Sequence, residues 1–149
     1  MKAKKVWTLA LAAMMAGALA APASAEVILK YSETNAIDST DGKYAQFFKE
    51  KVEELTNGEV VIDIQASGVL GTEADVLDGM VSMSGTVDLV RMSCYAFSNY
   101  GCSKSALLGL PFTFESSDHF WNFVNSDLGA EILAEPAEQG LGVTGLFYV

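Results

Sequence analysis

The sequence has few of the residues that metal sites, disulfide scaffolds and acid–base catalysis need: two cysteines, three prolines and one histidine in 149 residues. So few cysteines exclude a disulfide-dense scaffold, and a single histidine leaves little for imidazole-based catalysis. Basic residues are scarce too, with nine Lys and Arg against nineteen Asp and Glu. An acidic surface repels phosphate backbones, which argues against nucleic acid as a partner.

The two cysteines, Cys94 and Cys102, have seven residues between them. In an oxidising compartment they could close a disulfide across a loop or remain free, because spacing does not fix the geometry that a disulfide requires. Together with His119 they form no ligand set of recognised spacing, so neither a metal nor another cofactor is predicted. His119 itself lies at a predicted helix start and is expected to be a surface or capping residue.

Catalytic motifs are missing as well. There is no Gly-x-Ser-x-Gly elbow, no glycine-rich phosphate loop and no His-Glu-x-x-His. These absences argue against a secreted enzyme, and a carboxylate is the general base that such an enzyme would have to use.

The first 25 residues have the pattern of a secretory signal peptide. Three lysines precede an apolar run at residues 6–20, and Ala23-Ser24-Ala25 stands before Glu26. The run is shorter than the roughly 20 residues that span a bilayer, although an N-terminal anchor is the alternative. Residues 26–149 are then expected to work outside the cytoplasm, in the periplasm. They hold six basic and nineteen acidic residues, a formal charge of −13.

Apolar and β-branched runs predict strands at residues 27–31, 59–64 and 86–92, with helical patterns between them. The order βαβαβ predicts an α/β fold, with a mostly parallel sheet flanked by helices. Thr72 and Asp75 resemble a capping box at the start of the second helix. The first helix is predicted from one apolar stripe, made of Tyr44, Phe47, Phe48, Val52 and Leu55.

Beyond residue 92, short helices are predicted at 116–125 and 128–139, and Pro136 is expected to end the second one early. Residues 141–149 are apolar and predict a further strand.

Four segments in order resemble the solute receptors of tripartite ATP-independent periplasmic (TRAP) transporters, of the C4-dicarboxylate-binding type. They are Phe47–Gly58 with its Thr-Asn-Gly ending, Gly68–Glu73 with Gly-x-Leu-Gly, Gly85–Leu89 with Gly-Thr-x-Asp, and Leu110–Phe114 with Leu-Pro-Phe-x-Phe. The resemblance implies a two-lobe receptor that closes on a small organic acid and docks on integral-membrane permease subunits. A receptor of an ATP-driven importer or of a sensor is the alternative.

The resemblance implies a receptor of roughly twice this length, with two lobes. We therefore expect residues 26–149 to form the first lobe, with the second lobe absent and the chain a fragment. In the family, the arginine that clamps a substrate carboxylate lies beyond residue 149, so the chain alone is expected to bind solute weakly.

Open parallel sheets bind ligands beyond the carboxyl ends of their strands. The resemblance implies ligand contacts near the first and third of these ends, where Thr34, Asn35 and Ser93 are candidates for hydrogen bonds to a solute. Thr34 and Asn35 could instead only shape a turn or cap the next helix, and Ser93 could be an ordinary loop residue.

Three further residues are candidates for the solute site. Arg91 is the only arginine, and its planar fork suits a carboxylate, although a salt bridge to one of the many acids or a solvent-facing position is the alternative. Glu73 could touch ligand or the other lobe, or only occupy the first turn of its helix, where the dipole favours a carboxylate. Tyr95 could stack on a sugar or an aromatic acid, or pack its loop onto the lobe.

Overall fold

A computed structural model gives the fold of residues 26–149, and the predicted leader lies outside these described residues. The elements in chain order are β1 (Val27–Ser32), α1 (Thr40–Leu55), β2 (Val60–Gln65), α2 (Glu73–Val81), β3 (Leu89–Val90), two 3₁₀ helices (Cys94–Tyr100 and Ser105–Gly109), α3 (Ser117–Val124) and α4 (Asp127–Glu138). The predicted α/β class is confirmed.

The three strands form one parallel sheet in the order β2–β1–β3. The central strand β1 pairs along its whole length with β2, from Val27 opposite Val60 to Ser32 opposite Gln65. Because β2 and β3 lie on opposite sides of β1, the strand order reverses between β1 and β3. In open parallel sheets such a reversal opens a crevice at the carboxyl ends of the strands. The loops that follow β1 and β3 therefore meet at one edge of the sheet.

The apolar core lies between the sheet and α1. Tyr31, Ala45 and Ile62 are buried together, with Phe48 and Val52 packed against them. The rings of Tyr31 and Phe48 are 6.0 Å apart. Burial of these side chains between α1 and the strands holds the helix on the sheet. Each large apolar side chain that is fully buried stabilises the fold by about 1.5–3 kcal/mol.

The apolar stripe predicted for α1 is only partly buried. Tyr44, Phe47 and Leu55 are exposed, whereas Phe48 and Val52 face the sheet together with Ala45. Helical spacing marks a broad face, but the sheet covers only part of it. The small residue Ala45 therefore lies at the centre of the contact.

Each α-helix begins at a hydroxyl residue that accepts a backbone N–H in its first turn, as helix N-caps commonly do. These residues are Ser39, Thr72, Ser116 and Ser126. At α2 the predicted capping box is complete, because the Asp75 carboxylate also accepts the Thr72 N–H at 2.8 Å.

The third strand is shorter than predicted. Only Leu89 and Val90 pair with β1, against a predicted strand at 86–92. The Asp88 carboxylate accepts the backbone N–H of Lys30 in β1 at 2.8 Å. In a longer β3 a backbone carbonyl group would accept this N–H, so the side chain replaces a hydrogen bond of the parallel ladder.

The C-terminal segment also differs from its prediction. Residues 141–149 form no strand, and the Gly145 N–H donates to the Leu133 carbonyl of α4 at 2.8 Å. Gly142 has φ +72°, a left-handed conformation that interrupts a strand. Pro136 does not end α4 early, because the helix continues to Glu138.

Candidate functional site

A buried carboxylate lies directly after β1. Glu33 is fully buried, and its backbone N–H donates to the Gln65 carbonyl at 3.0 Å. Its Oε1 accepts the Asn35 backbone N–H at 2.8 Å and the Asn35 Nδ2 at 2.9 Å. Burial by itself raises the pKa of Glu33, but these hydrogen bonds and Arg91 outweigh it and hold the pKa below its usual value. Glu33 is therefore a buried carboxylate that stays charged.

Arg91 lies between two carboxylates. Its Nε is 3.2 Å from Glu33 Oε2, and its Nη2 is 3.0 Å from Asp41 Oδ2. Asp41 also accepts Asn35 Nδ2 at 3.1 Å, which closes a network across β1, α1 and the end of β3. Burial alone lowers the pKa of Arg91, but its bonds with Glu33 and Asp41 raise it overall. Of the interpretations open for Arg91, the salt bridge is the one found in the structure.

A second group of residues lines an open depression of about 490 Å³ beside this network. The lining residues come from the loop after β1, the loop after β2 and the first turn of α2: Thr34, Gly68, Gly71, Thr72, Glu73 and Asp75. Glycine at position 71 has φ +109°, and a Cβ there would come 2.8 Å from the Asp75 side chain. The loop therefore needs glycine to bring its backbone this close to α2.

Glu73 joins the depression to the loop after β3. Its Oε1 accepts the Ser93 backbone N–H at 3.3 Å, although the two residues are twenty positions apart. The loop after β3 thus contacts the first turn of α2 through Ser93, next to the depression that Thr34 and Glu73 line. Asn35 and Arg91 lie in the neighbouring charged network and do not line the depression.

Tyr95 is a predicted site residue that lies neither in the lining of the depression nor in the charged network. It lies in the first 3₁₀ helix, 52% exposed, with its ring against Gly109 of the second. A Cβ at Gly109 would stand 2.3 Å from the ring. Packing of one 3₁₀ helix on the other is therefore the contact that Tyr95 makes.

Glu33 and Asp41 are the charged partners of Arg91 that the sequence did not single out. A single arginine directly after a strand needs a charged partner if it is partly buried, and Glu33 follows the neighbouring central strand β1. The sequence therefore allowed the inference that Arg91 has an acidic partner. It did not show which of the nineteen acidic residues that partner is. The Glu33–Arg91 contact joins residues 58 positions apart, which only the strand order brings together.

Cys94 and Cys102 are both free, so the disulfide that the sequence allowed is not formed in the structure. Burial raises the pKa of each thiol, which keeps it protonated and unreactive at neutral pH. Within residues 26–149, no group of three or more His, Cys, Asp or Glu side chains could hold a metal ion. Over the same range, no helix is both long and apolar enough to span a bilayer.

The sequence and the fold of this chain are similar to those of known proteins. A family model described as bacterial extracellular solute-binding protein, family 7, matches residues 31–149. A C4-dicarboxylate-binding periplasmic protein of Rhodobacter capsulatus is 27% identical, over 88% of this chain and 38% of its own length.

Two solved structures are similar in fold and sequence. A TRAP periplasmic solute-binding protein from a Polaromonas species, bound to D-erythronate, is 27% identical with a TM-score of 0.69, over 77% of this chain and 37% of that protein. One from Pseudomonas aeruginosa, with bound L-malate, is 26% identical with a TM-score of 0.67, over 76% and 39%. The chain thus spans less than two fifths of the length of these relatives.

Proposed function

The chain belongs to family 7 of the bacterial extracellular solute-binding proteins, and from this we propose that residues 26–149 form the first lobe of a receptor that delivers a small organic acid to a TRAP-type transporter. The observation that carries the proposal is the depression at the strand ends, which Thr34 and Glu73 line and which the loop after β3 adjoins through the Ser93–Glu73 hydrogen bond. The depression lies beyond the carboxyl ends of β1 and β2, and open α/β sheets bind small ligands at the carboxyl ends of their strands.

The proposed mechanism is capture by closure. A solute enters a cleft of which the depression is one wall, a second lobe closes on it, and the closed form docks on integral-membrane permease subunits. Closure needs contacts that differ between the open and closed forms. A single lobe supplies only part of these contacts, so we expect residues 26–149 by themselves to bind the solute in the millimolar rather than the micromolar range.

We also propose that the receptor works in the periplasm, with residues 1–25 as its export signal. The family is extracellular by description, and the basic, apolar and small-residue pattern of the leader supports export. The TRAP receptors among the structural neighbours favour a secondary transporter over an ATP-driven importer as the partner.

Solution NMR of the isotope-labelled protein, titrated with D-erythronate and L-malate, tests this function. We expect millimolar binding that shifts the backbone amides of Thr34, Glu73 and Ser93 more than those of α3 and α4. Loss of one hydroxyl by Thr34→Val should weaken binding roughly three- to tenfold, the equivalent of one hydrogen bond. Thr113→Val, in the segment after the second 3₁₀ helix, is the matched control and should leave binding unchanged.

Shifts confined to another part of the protein would contradict the proposed site. The absence of shifts with both acids at high millimolar concentration would contradict the function itself.

A further inference from the structure

The only arginine of this lobe, Arg91, is already paired with two carboxylates. Two carboxylates, Glu33 and Asp41, take its Nε and Nη2, so the cluster of three carries a net negative charge. Its guanidinium is also largely enclosed, with 24% of the side chain exposed. A solute carboxylate at Arg91 would therefore meet a guanidinium whose positive charge two anions already offset.

The depression beside Arg91 presents hydrogen-bond acceptors to a solute but no positively charged side chain from residues 26–149. Two carboxylates, Glu73 and Asp75, line it, and none of the described residues that line it is basic. The Asp75 carboxylate is already bonded to Thr72, through the backbone N–H at 2.8 Å and the hydroxyl at 2.7 Å. Glu73 gives one oxygen to the Ser93 N–H, which leaves its other oxygen to accept from a solute.

Carboxylate oxygens only accept hydrogen bonds, whereas a hydroxyl group can donate one. A second carboxylate placed against this wall would instead meet like charge in a partly desolvated cleft. We propose that this wall holds the hydroxyl-bearing end of a polyhydroxy monocarboxylate and discriminates against dicarboxylates, with Glu73 as the selecting residue. This inference rests on the proposed function.

D-Erythronate and L-malate make a matched pair for the test, since both have four-carbon chains and are bound by relatives of this protein. D-Erythronate carries one carboxylate and three hydroxyl groups, whereas L-malate carries two carboxylates and one hydroxyl group. The two acids therefore differ mainly in the end that would face Glu73.

Dissociation constants for both acids are measured by NMR titration on the unaltered protein, on Glu73→Gln and on Glu138→Gln. We expect D-erythronate to bind at least tenfold more tightly than L-malate. Glu73→Gln should reduce that ratio at least threefold, because the amide removes the repelling charge and can donate to a carboxylate. The exposed Glu138 on α4 gives the same change in net charge away from the site, so Glu138→Gln should preserve the ratio.

Equal or tighter binding of L-malate by the unaltered protein would overturn this inference while leaving the proposed function intact. A Glu73→Gln ratio equal to that of the unaltered protein would also overturn it. If neither acid binds, the proposed function fails and this inference fails with it.

Discussion

Glu33 is the residue on which the charged network depends. It is fully buried, yet it is ionised because Asn35 and Arg91 supply three hydrogen bonds to its two oxygens. A buried carboxylate that loses its partners is strongly destabilising, whereas a satisfied one holds its neighbours in a single arrangement. The turn after β1, which carries Thr34 into the depression, is therefore held by a residue that does not line the depression.

The lowered pKa of Glu33 gives stability a defined dependence on pH. Its folded-state pKa lies below the usual value of 4.5, so the folded state favours the charged form. The stabilisation is fully present above pH 4.5 and is lost as the pH falls through the folded-state pKa. We expect the free energy of unfolding to decrease on acidification in that range, and the decrease to be smaller in Glu33→Gln.

Urea denaturation across a series of pH values measures this effect, with Glu50→Gln on the exposed face of α1 as the control. A pH dependence that is identical in Glu33→Gln and the unaltered protein would show that Glu33 has no such role.

At the scale of elements, the first two helices are built alike, because each begins at a hydroxyl residue that caps its first turn. Each also contains one glycine, Gly42 in α1 and Gly79 in α2. The surroundings of the two glycines differ. A Cβ at Gly42 would stand 2.4 Å from the carbonyl oxygens of both Ala36 and Ile37. At Gly79 the nearest atom is the Ser84 hydroxyl oxygen at 3.3 Å. One glycine is needed for close packing, and the other is not.

This difference predicts opposite results for the same substitution. Gly42→Ala should destabilise the protein by about 2 kcal/mol, because the backbone of the turn after β1 must move to admit the methyl group. Gly79→Ala should be neutral or stabilising by up to about 1 kcal/mol, since alanine is the better helix former. Chemical denaturation of both variants tests the pair. If the two changes have equal effects, close packing at Gly42 is not what decides its identity.

The sequence predicted the first four elements within a few residues because their signals are local. Helical spacing, the Thr72–Asp75 capping box and β-branched runs act over a single turn or strand. The short β3 and the unpaired C-terminal segment were not predicted, since the Asp88–Lys30 contact and the Gly145–Leu133 hydrogen bond join distant parts of the chain. Local apolarity says that a segment is suited to pairing, but not whether a partner strand is available.

At the scale of the whole molecule, the described residues combine a small core with a broad exposed apolar surface. Phe112 is the extreme case, at 97% exposed and with φ +59°, a left-handed conformation that is strained for a phenylalanine. Leu107 and Leu110 are exposed on the same segment. The formal charge of −13 over residues 26–149 opposes association through this surface.

We expect Phe112→Asn to lower the fluorescence of a dye that binds exposed apolar surface, and to raise stability by up to about 1 kcal/mol. Asparagine tolerates the left-handed conformation better, and little packing is lost at so exposed a position. Phe47→Asn on α1 is the control, since it removes a 59%-exposed phenylalanine from ordinary helical backbone. It should lower dye binding and also stability. A loss of stability in Phe112→Asn equal to that in Phe47→Asn would contradict the argument from backbone strain.

The amino-acid sequence by itself determined the α/β class, the order of the first strands and helices, the helix caps and the family resemblance. Each of these depends on residues close together along the chain, where backbone geometry and side-chain periodicity suffice. The tertiary structure alone decided that Arg91 is shared by Glu33 and Asp41, that Thr34 and Glu73 line one depression, and that Ser93 bonds to Glu73 beside it. Those contacts depend on the β2–β1–β3 order, which brings together loops tens of residues apart, and charge pairing across such separations has no local signature.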